Sequence, residues 1–182
     1  MSERHRVAWH GPLTVRELAA GDWRALRELR LHALRTEPGV FFSSYGEEAG
    51  YSDADWIALA TGDDAHQLFG LFDGERLAGI SGVFTDRDDP TGGTASLGMS
   101  YILPEYRCRG LASRLYEARL AWARARPQFV RAAIGHRRSN HATRRAIARF
   151  GFCWKVDQPY RWPDGADDDY VHYELQLHAE PG

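Results

Sequence analysis

The residues best suited to chemistry fall in one short stretch, Tyr101-Ile102-Leu103-Pro104-Glu105-Tyr106-Arg107-Cys108-Arg109-Gly110-Leu111-Ala112-Ser113. A strand pattern ends at Pro104, the chain turns through Arg107 to Gly110, and an amphipathic helix begins at once. The first N–H groups of such a helix have no intrahelical partner. The N-terminus carries about half a positive charge and favours an anion by ~0.3 to 1 kcal/mol, up to ~2 when partly buried. Gly110 and the small Ala112 let a phosphate or pyrophosphate approach the backbone, and Arg107 and Arg109 add charge. The same residues also suit an ordinary strand-to-helix turn with exposed arginines. Two other phosphate loops are absent. GxxxxGK[ST] occurs nowhere, Lys155 being the only lysine, and there is no GxGxxG, which disfavours ATP, GTP and NAD.

The elements that must position this turn are legible from periodicity. Leu13 to Leu18 alternates as a first strand, and Ala19 to Asp22 leads into a helix from about Trp23 that Pro38-Gly39 closes. Phe41-Phe42-Ser43-Ser44-Tyr45 reads as an aromatic loop, and Ser52 or Asp53 caps a second helix ending at Gly62. Strands at Gln67–Phe72 and Arg76–Thr85 are joined by Asp73-Gly74, a hairpin signal. Thr94–Leu103 is the strand before the anion turn, with Gly98 marking a bulge or close approach. A helix over Leu111–Arg124 follows, then a strand over Phe129–Ile134, a helix over Asn140–Phe150, and strands at Phe152–Tyr160 and Val171–Leu177. Asp164 to Asp169 reads as a solvated hairpin loop or an acidic rim for a cationic ligand. The order β-α-α-β-β-β-α-β-α-β-β argues for a mixed sheet covered by helices, parallel where a helix joins consecutive strands.

The 182 residues suit one domain, 1–182 with a core at about 13–178. The formal charge of -2 conceals a division: Arg107 to Arg149 holds 12 Arg and one acid, Glu117, and the remainder is correspondingly acidic. No apolar run spans a bilayer, and Met-Ser-Glu-Arg-His-Arg lacks the apolar stretch of a secretory signal, so a cytoplasmic location is expected. Cys108 and Cys153 form neither a disulfide framework nor a metal cluster, and no metal is expected.

Arg107-x-x-Gly110-x-Ala112, after a strand and before a helix, resembles the R/Q-x-x-G-x-G/A acetyl-CoA signature of the GCN5-related N-acetyltransferases, the GNAT superfamily. Arg138-Ser139-Asn140 opening a helix that ends in Arg149-Phe150-Gly151-Phe152 is similar to the family's second block, about 30 residues on, and together the blocks and element order cover most of the chain. The resemblance implies an α/β (α+β mixed sheet) fold, a central twisted sheet of about seven strands flanked by four helices. Acetyl-CoA would be wedged where the sheet splays between the strands at 94–103 and 129–135. It implies backbone contacts from Ser100, Tyr101 and Ile102 to the pantetheine arm as an added strand. The pyrophosphate would lie on Arg107, Cys108, Arg109, Gly110, Leu111, Ala112 and Ser113, and Asn140 would contact the cofactor arm as well as cap its helix.

What the resemblance implies about activity is acetyl transfer from acetyl-CoA to a primary amine of a small molecule or peptide, by direct attack on the thioester. Two positions depart from the family. Ile147 stands where many members carry a tyrosine that protonates the departing thiolate, and Gly135 where some carry a basic carboxylate. Glu48, with Glu47 beside it, His136 and Tyr101 are the candidate catalytic residues; Tyr45 and Tyr160 are further candidate acids. Each also has an ordinary reading: solvated loop carboxylates, a surface histidine turned from the Gly135 face, core or rim tyrosines. A sensor domain that binds acyl-CoA without turnover competes with the transferase. A nucleic-acid module on Arg137, Arg138, Arg144, Arg145 and Arg149 is opposed by the pI of about 6.4, and neither nucleic acid nor membrane is an expected partner. A homodimer through exposed edge strands is compatible with the architecture.

Overall fold

The computed structural model describes residues 12–178. The N-terminal hexapeptide read for a signal lies outside them. The chain runs β1 (Leu13–Glu17), α1 (Trp23–Thr36), α2 (Tyr45–Ala49), α3 (Asp53–Thr61), β2 (His66–Asp73), β3 (Arg76–Thr85), β4 (Thr94–Ile102), α4 (Leu111–Arg124), β5 (Arg131–Arg137), α5 (His141–Arg149), β6 (Cys153–Arg161) and β7 (Asp167–Gln176). The strands form one sheet in the order β1-β2-β3-β4-β5-β7-β6. Every neighbouring pair is antiparallel except β4 and β5, whose parallel pairing needs the crossover that α4 supplies.

Each face of the sheet carries its own core. Beneath α4 and α5 lie Leu97, Leu115, Leu120, Phe129, Ile134 and Ile147. Beneath α1 and α3 lie Leu26, Leu34, Trp56, Leu68, Ile80 and Tyr101. Burying a leucine or isoleucine fully is worth ~1.5 to 3 kcal/mol, so these two layers hold the helices to the sheet. The helix starts follow local chemistry. Ser52 accepts from the Asp55 N–H while the Asp55 carboxylate accepts from the Ser52 N–H at 2.8 Å, a reciprocal cap for α3.

Two expectations from the sequence are corrected. There are five α-helices among the described residues rather than four, because Ser44 and Glu47 make the same reciprocal cap and turn part of the expected aromatic loop into α2. β7 begins at Asp167, not Val171, so three aspartates expected in a loop belong to a strand. The aspartates of the 164–169 segment are also paired with arginines, while Asp167 stays largely exposed. Asp164 and Asp168 pair with Arg137, Asp167 with Arg161 and Asp169 with Arg138.

The β3–β4 connection is held by Asp89. Its carboxylate accepts from the Thr91 N–H and hydroxyl at 2.9 and 2.6 Å, from the Thr94 hydroxyl at 2.6 Å, and from Arg131 of β5 at 3.0 Å. The Thr91 hydroxyl first, then Thr94, the Thr91 amide and Arg131, hold its pKa down at about 2 against 3.8. A depressed carboxylate contributes stability that is present above the unfolded value and lost as pH falls through the folded one. Asp89→Asn is therefore expected to lower the unfolding midpoint near pH 7 and to flatten its fall between about pH 4 and 2 relative to the parent. Thermal unfolding across a pH series checks this.

Candidate active site

β4 and β5 are hydrogen-bonded only over Thr94–Leu97 against Arg131–Ile134. Beyond that the strands diverge, and Gly98 and Gly135 are the first residues past the fork. β4 stays paired with β3 on its other side as far as Ile102, through a register shift opposite Ile80–Gly82, and Met99 in that stretch has φ 53°. The outer edge of β4 is thus left without a strand partner along the residues expected to take an extended ligand. A cavity of about 670 Å³ opens there, and Ser100, Tyr101 and Ile102 line it.

The turn at the mouth of the cavity carries backbone donors. Arg107, Cys108, Gly110, Leu111, Ala112 and Ser113 line it, and Arg109 lies in the same turn outside the lining. α4 has Gly110 as its N-cap, in the left-handed region at φ 72° and ψ 3°, with no side chain accepting from the first turn. A serine or aspartate cap would close those N–H groups off; glycine leaves them to a ligand. Cys108 is also left-handed, at φ 60°. The Arg107 guanidinium is engaged by Glu37 at 2.5 Å and by the Ile102 carbonyl at 2.7 Å, and it lies over the Tyr101 ring. Arg107 therefore braces the turn to α1.

On the opposite wall Asn140 accepts from the Thr143 N–H at 3.2 Å, capping α5, and lines the cavity. Arg145 and Arg149 line it too. These two were grouped with a possible nucleic-acid face; their spacing of four residues on one helix was the available signal. A donor set of uncapped helix amides, a small-residue turn and two facing arginines fits a CoA diphosphate, and the open β4 edge fits a pantetheine amide.

The candidate catalytic residues are not brought together. Glu48 is buried, 4% exposed, in a two-point ion pair with Arg30 at 2.6 and 2.8 Å. It is neither a solvated loop carboxylate nor a cavity-lining group, while Glu47 caps α2. His136 is likewise buried, not a surface histidine. Its Nδ1 lies 2.7 Å from the Arg137 carbonyl and its ring stacks on Tyr173. Burial pushes its pKa down, opposed by that hydrogen bond, with Arg144 and His141 of α5 adding to the depression. Strand alternation puts it on the α5 side of the sheet, opposite the face that Gly135 uses. Tyr101 lines the cavity with its hydroxyl buried and without a hydrogen-bond partner among the described residues. Tyr45 lies under Arg35, and Ile147 is fully buried in the core.

The Gly135 face carries groups that the sequence reading did not assemble. Phe42 stacks on Trp162 at 4.9 Å and meets Tyr160 and Tyr170 edge-on. Tyr170, His172 and Glu174 follow at alternate positions of β7, with the Tyr170 hydroxyl 2.9 Å from His172 Nδ1 and His172 Nε2 3.3 Å from Glu174 Oε1. The alternation was readable, but an assumed strand start at Val171 left Tyr170 outside it. Arg137 fastens this face to the rest, donating to the Gly39 carbonyl at 3.2 Å as well as to its two aspartates.

A family model described as the acetyltransferase (GNAT) family matches residues 23–152. No curated protein matches the chain. Solved structures similar to it include an acetyltransferase of the GNAT family from Streptococcus pneumoniae, with TM-score 0.78 at 20% identity, covering 92% of this chain and 100% of that one. A putative acetyltransferase from Salmonella typhimurium with its cofactor acetyl-CoA gives 0.73 at 18%, covering 94% and 99%. NAA60 of Arabidopsis thaliana, in complex with a bisubstrate analogue, gives 0.70 at 14%, covering 91% and 98%.

Proposed function

The chain belongs to the acetyltransferase (GNAT) family, and from that premise we propose that it transfers an acetyl group from acetyl-CoA to a primary amine by direct attack on the thioester. The observation that carries this reading is the junction of the unpaired β4 edge with the glycine-capped N-terminus of α4 in one cavity. Strand-like pairing would hold the pantetheine amides, and the α4 amides would hold the diphosphate. The thioester would then lie at the fork, where the acceptor meets it from the side of the sheet on which Phe42, Tyr160 and Trp162 cluster. Small-molecule and peptide amines are both compatible with that open face.

Thermal unfolding with acetyl-CoA, CoA and ATP in parallel tests donor binding. A ligand at about 100 times its Kd stabilises by ~2.7 kcal/mol. The expected result is a shift with both CoA species and none with ATP. Thiol release over a panel of amines then tests transfer. The buried Ile147, which has no proton to give, favours the alternative of a binding domain without turnover; a shift with acetyl-CoA but no thiol release from any amine would select it.

Arg145 and Arg149 enter this reading as phosphate arms. Each alanine substitution is expected to raise the KM for acetyl-CoA by about 3- to 10-fold, the range for one partly exposed charged hydrogen bond, and to leave kcat nearly unchanged. The loss should shrink at high salt, because these charges are exposed to screening. Steady-state kinetics at two ionic strengths measures both effects.

A further inference from the structure

Gly135 is the first β5 residue beyond the fork, and its missing side chain is a spatial requirement. A Cβ built there would collide with the ring and hydroxyl of Tyr170. The phenol therefore occupies the space above Gly135, beside the point where β4 and β5 part. The β7 register explains how it gets there: His172 is the direct partner of Gly135, and Tyr170 stands two residues away on the same face.

The three groups have complementary hydrogen-bonding needs. The Glu174 carboxylate only accepts, so the His172 nitrogen 3.3 Å away carries the proton. That fixes the tautomer and leaves Nδ1 bare to accept the Tyr170 O–H at 2.9 Å. Lys155 lies 3.6 Å from the other Glu174 oxygen. The Tyr170 ring is half-buried, edge-on to Phe42. Burial, then the charges of Asp86 and Asp88 on the β3–β4 connection, push the phenol up to about 12, so it holds its proton at neutral pH.

We propose that Tyr170, backed by His172 and Glu174, is the proton relay of acetyl transfer, serving both as the base toward the amine and as the acid toward the thiolate. The assignment rests on the acetyl transfer proposed above. A neutral amine nitrogen attacks the thioester carbonyl carbon, giving a tetrahedral adduct with a cationic nitrogen and an anionic oxygen. One N–H proton passes to the Tyr170 oxygen while the Tyr170 proton passes to His172 Nδ1, and Glu174 steadies the imidazolium. The carbonyl re-forms, the C–S bond breaks with its electron pair on sulfur, and the proton returns through Tyr170 to the thiolate. The products are the amide and free CoA thiol, with no proton gained or lost. This arrangement replaces the two missing groups together: Gly135 supplies no carboxylate because the relay fills its space, and Ile147 need supply no proton.

The test uses the full chain, acetyl-CoA, and an acceptor probe. The probe is whichever of an alkylamine, an aralkylamine, a polyamine and an N-terminal peptide gives the most thiol release. Tyr170→Phe and His172→Gln are expected to lower kcat by ~10² to 10⁴, with the KM for acetyl-CoA and its thermal shift within threefold of the parent. Glu174→Gln is expected to fall between. A purely structural role would instead lower the unfolding midpoint or raise the KM for acetyl-CoA. His172→Gly should regain rate with added imidazole, which a packing defect would not. Parent-like kcat in Tyr170→Phe overturns the relay alone; absence of thiol release by the parent with every amine overturns the transferase reading and the relay with it.

Discussion

Glu48→Ala is expected to lower the unfolding midpoint by about 6 to 20 °C. The Arg30 side chain is 3% exposed, lies over the Phe41 ring and donates to both Glu48 oxygens. Without the carboxylate, a guanidinium is stranded in the layer between α1 and α2. Breaking a buried pair by deleting one partner costs ~3 to 5 kcal/mol, and each kcal/mol moves the midpoint of a domain this size by about 2 to 4 °C. Replacing both partners, as Arg30→Met with Glu48→Leu, should recover most of the loss, because an apolar pair of similar volume leaves no buried charge. Glu48→Gln separates this account from a catalytic one. A base would lose kcat at nearly unchanged midpoint, whereas the paired carboxylate loses midpoint first. Calorimetry beside thiol-release kinetics reads both.

Gly110→Val is expected to remove the acetyl-CoA thermal shift, a loss of ~2.7 kcal/mol at ligand concentrations that saturate the parent. The left-handed conformation at φ 72° costs an L-residue ~1 to 2 kcal/mol, and a β-branched one is the least tolerant. No neighbour lies within 4 Å of a Cβ built there, so the apo-protein is hindered by backbone conformation alone and its midpoint should fall only by about 2 to 8 °C. Ligand binding suffers more. Relieving the strain rotates the turn's amides away from the direction in which they would meet a diphosphate. Gly110→Ala should be intermediate. A full thermal shift in Gly110→Val would mean that the diphosphate is held elsewhere, with Arg145 and Arg149 as the remaining donors on the cavity wall.

What the sequence displays and what it conceals divide along a physical line. α4 is legible to the residue, because glycine at its start and an apolar stripe along it are local signals. The strand-to-helix turn before it is legible for the same reason. Glu48 and His136 misled because their environments are made by distant chain. Arg30 lies 18 positions before Glu48, and the charges of Arg144 and His141 on α5 act on His136 only once β5 is in the sheet. The Ser44 to Glu47 cap was a local signal and shows α2 beforehand, yet five residues are too few for a periodic pattern. Tyr170 is the instructive case. Its meaning depends on a glycine 35 positions earlier, which read as a missing carboxylate rather than as space for a phenol.

The segment from Glu37 to Gly39 is fastened to both tines of the fork. Glu37 grips Arg107 beyond the end of β4, and the Gly39 carbonyl grips Arg137 at the end of β5. Glu37 and Val40 also face the donor cavity, while Phe42, a few residues on, stands in the aromatic cluster on the acceptor side. Under the proposed reading, one strap therefore borders both the donor and the acceptor. Thermodynamic linkage makes any coupling between them even-handed: the factor by which acetyl-CoA tightens the acceptor equals the factor by which the acceptor tightens acetyl-CoA. If acetyl-CoA binding and acceptor binding are coupled through this strap, Arg137→Ala, which removes its β5 attachment, is expected to weaken that coupling.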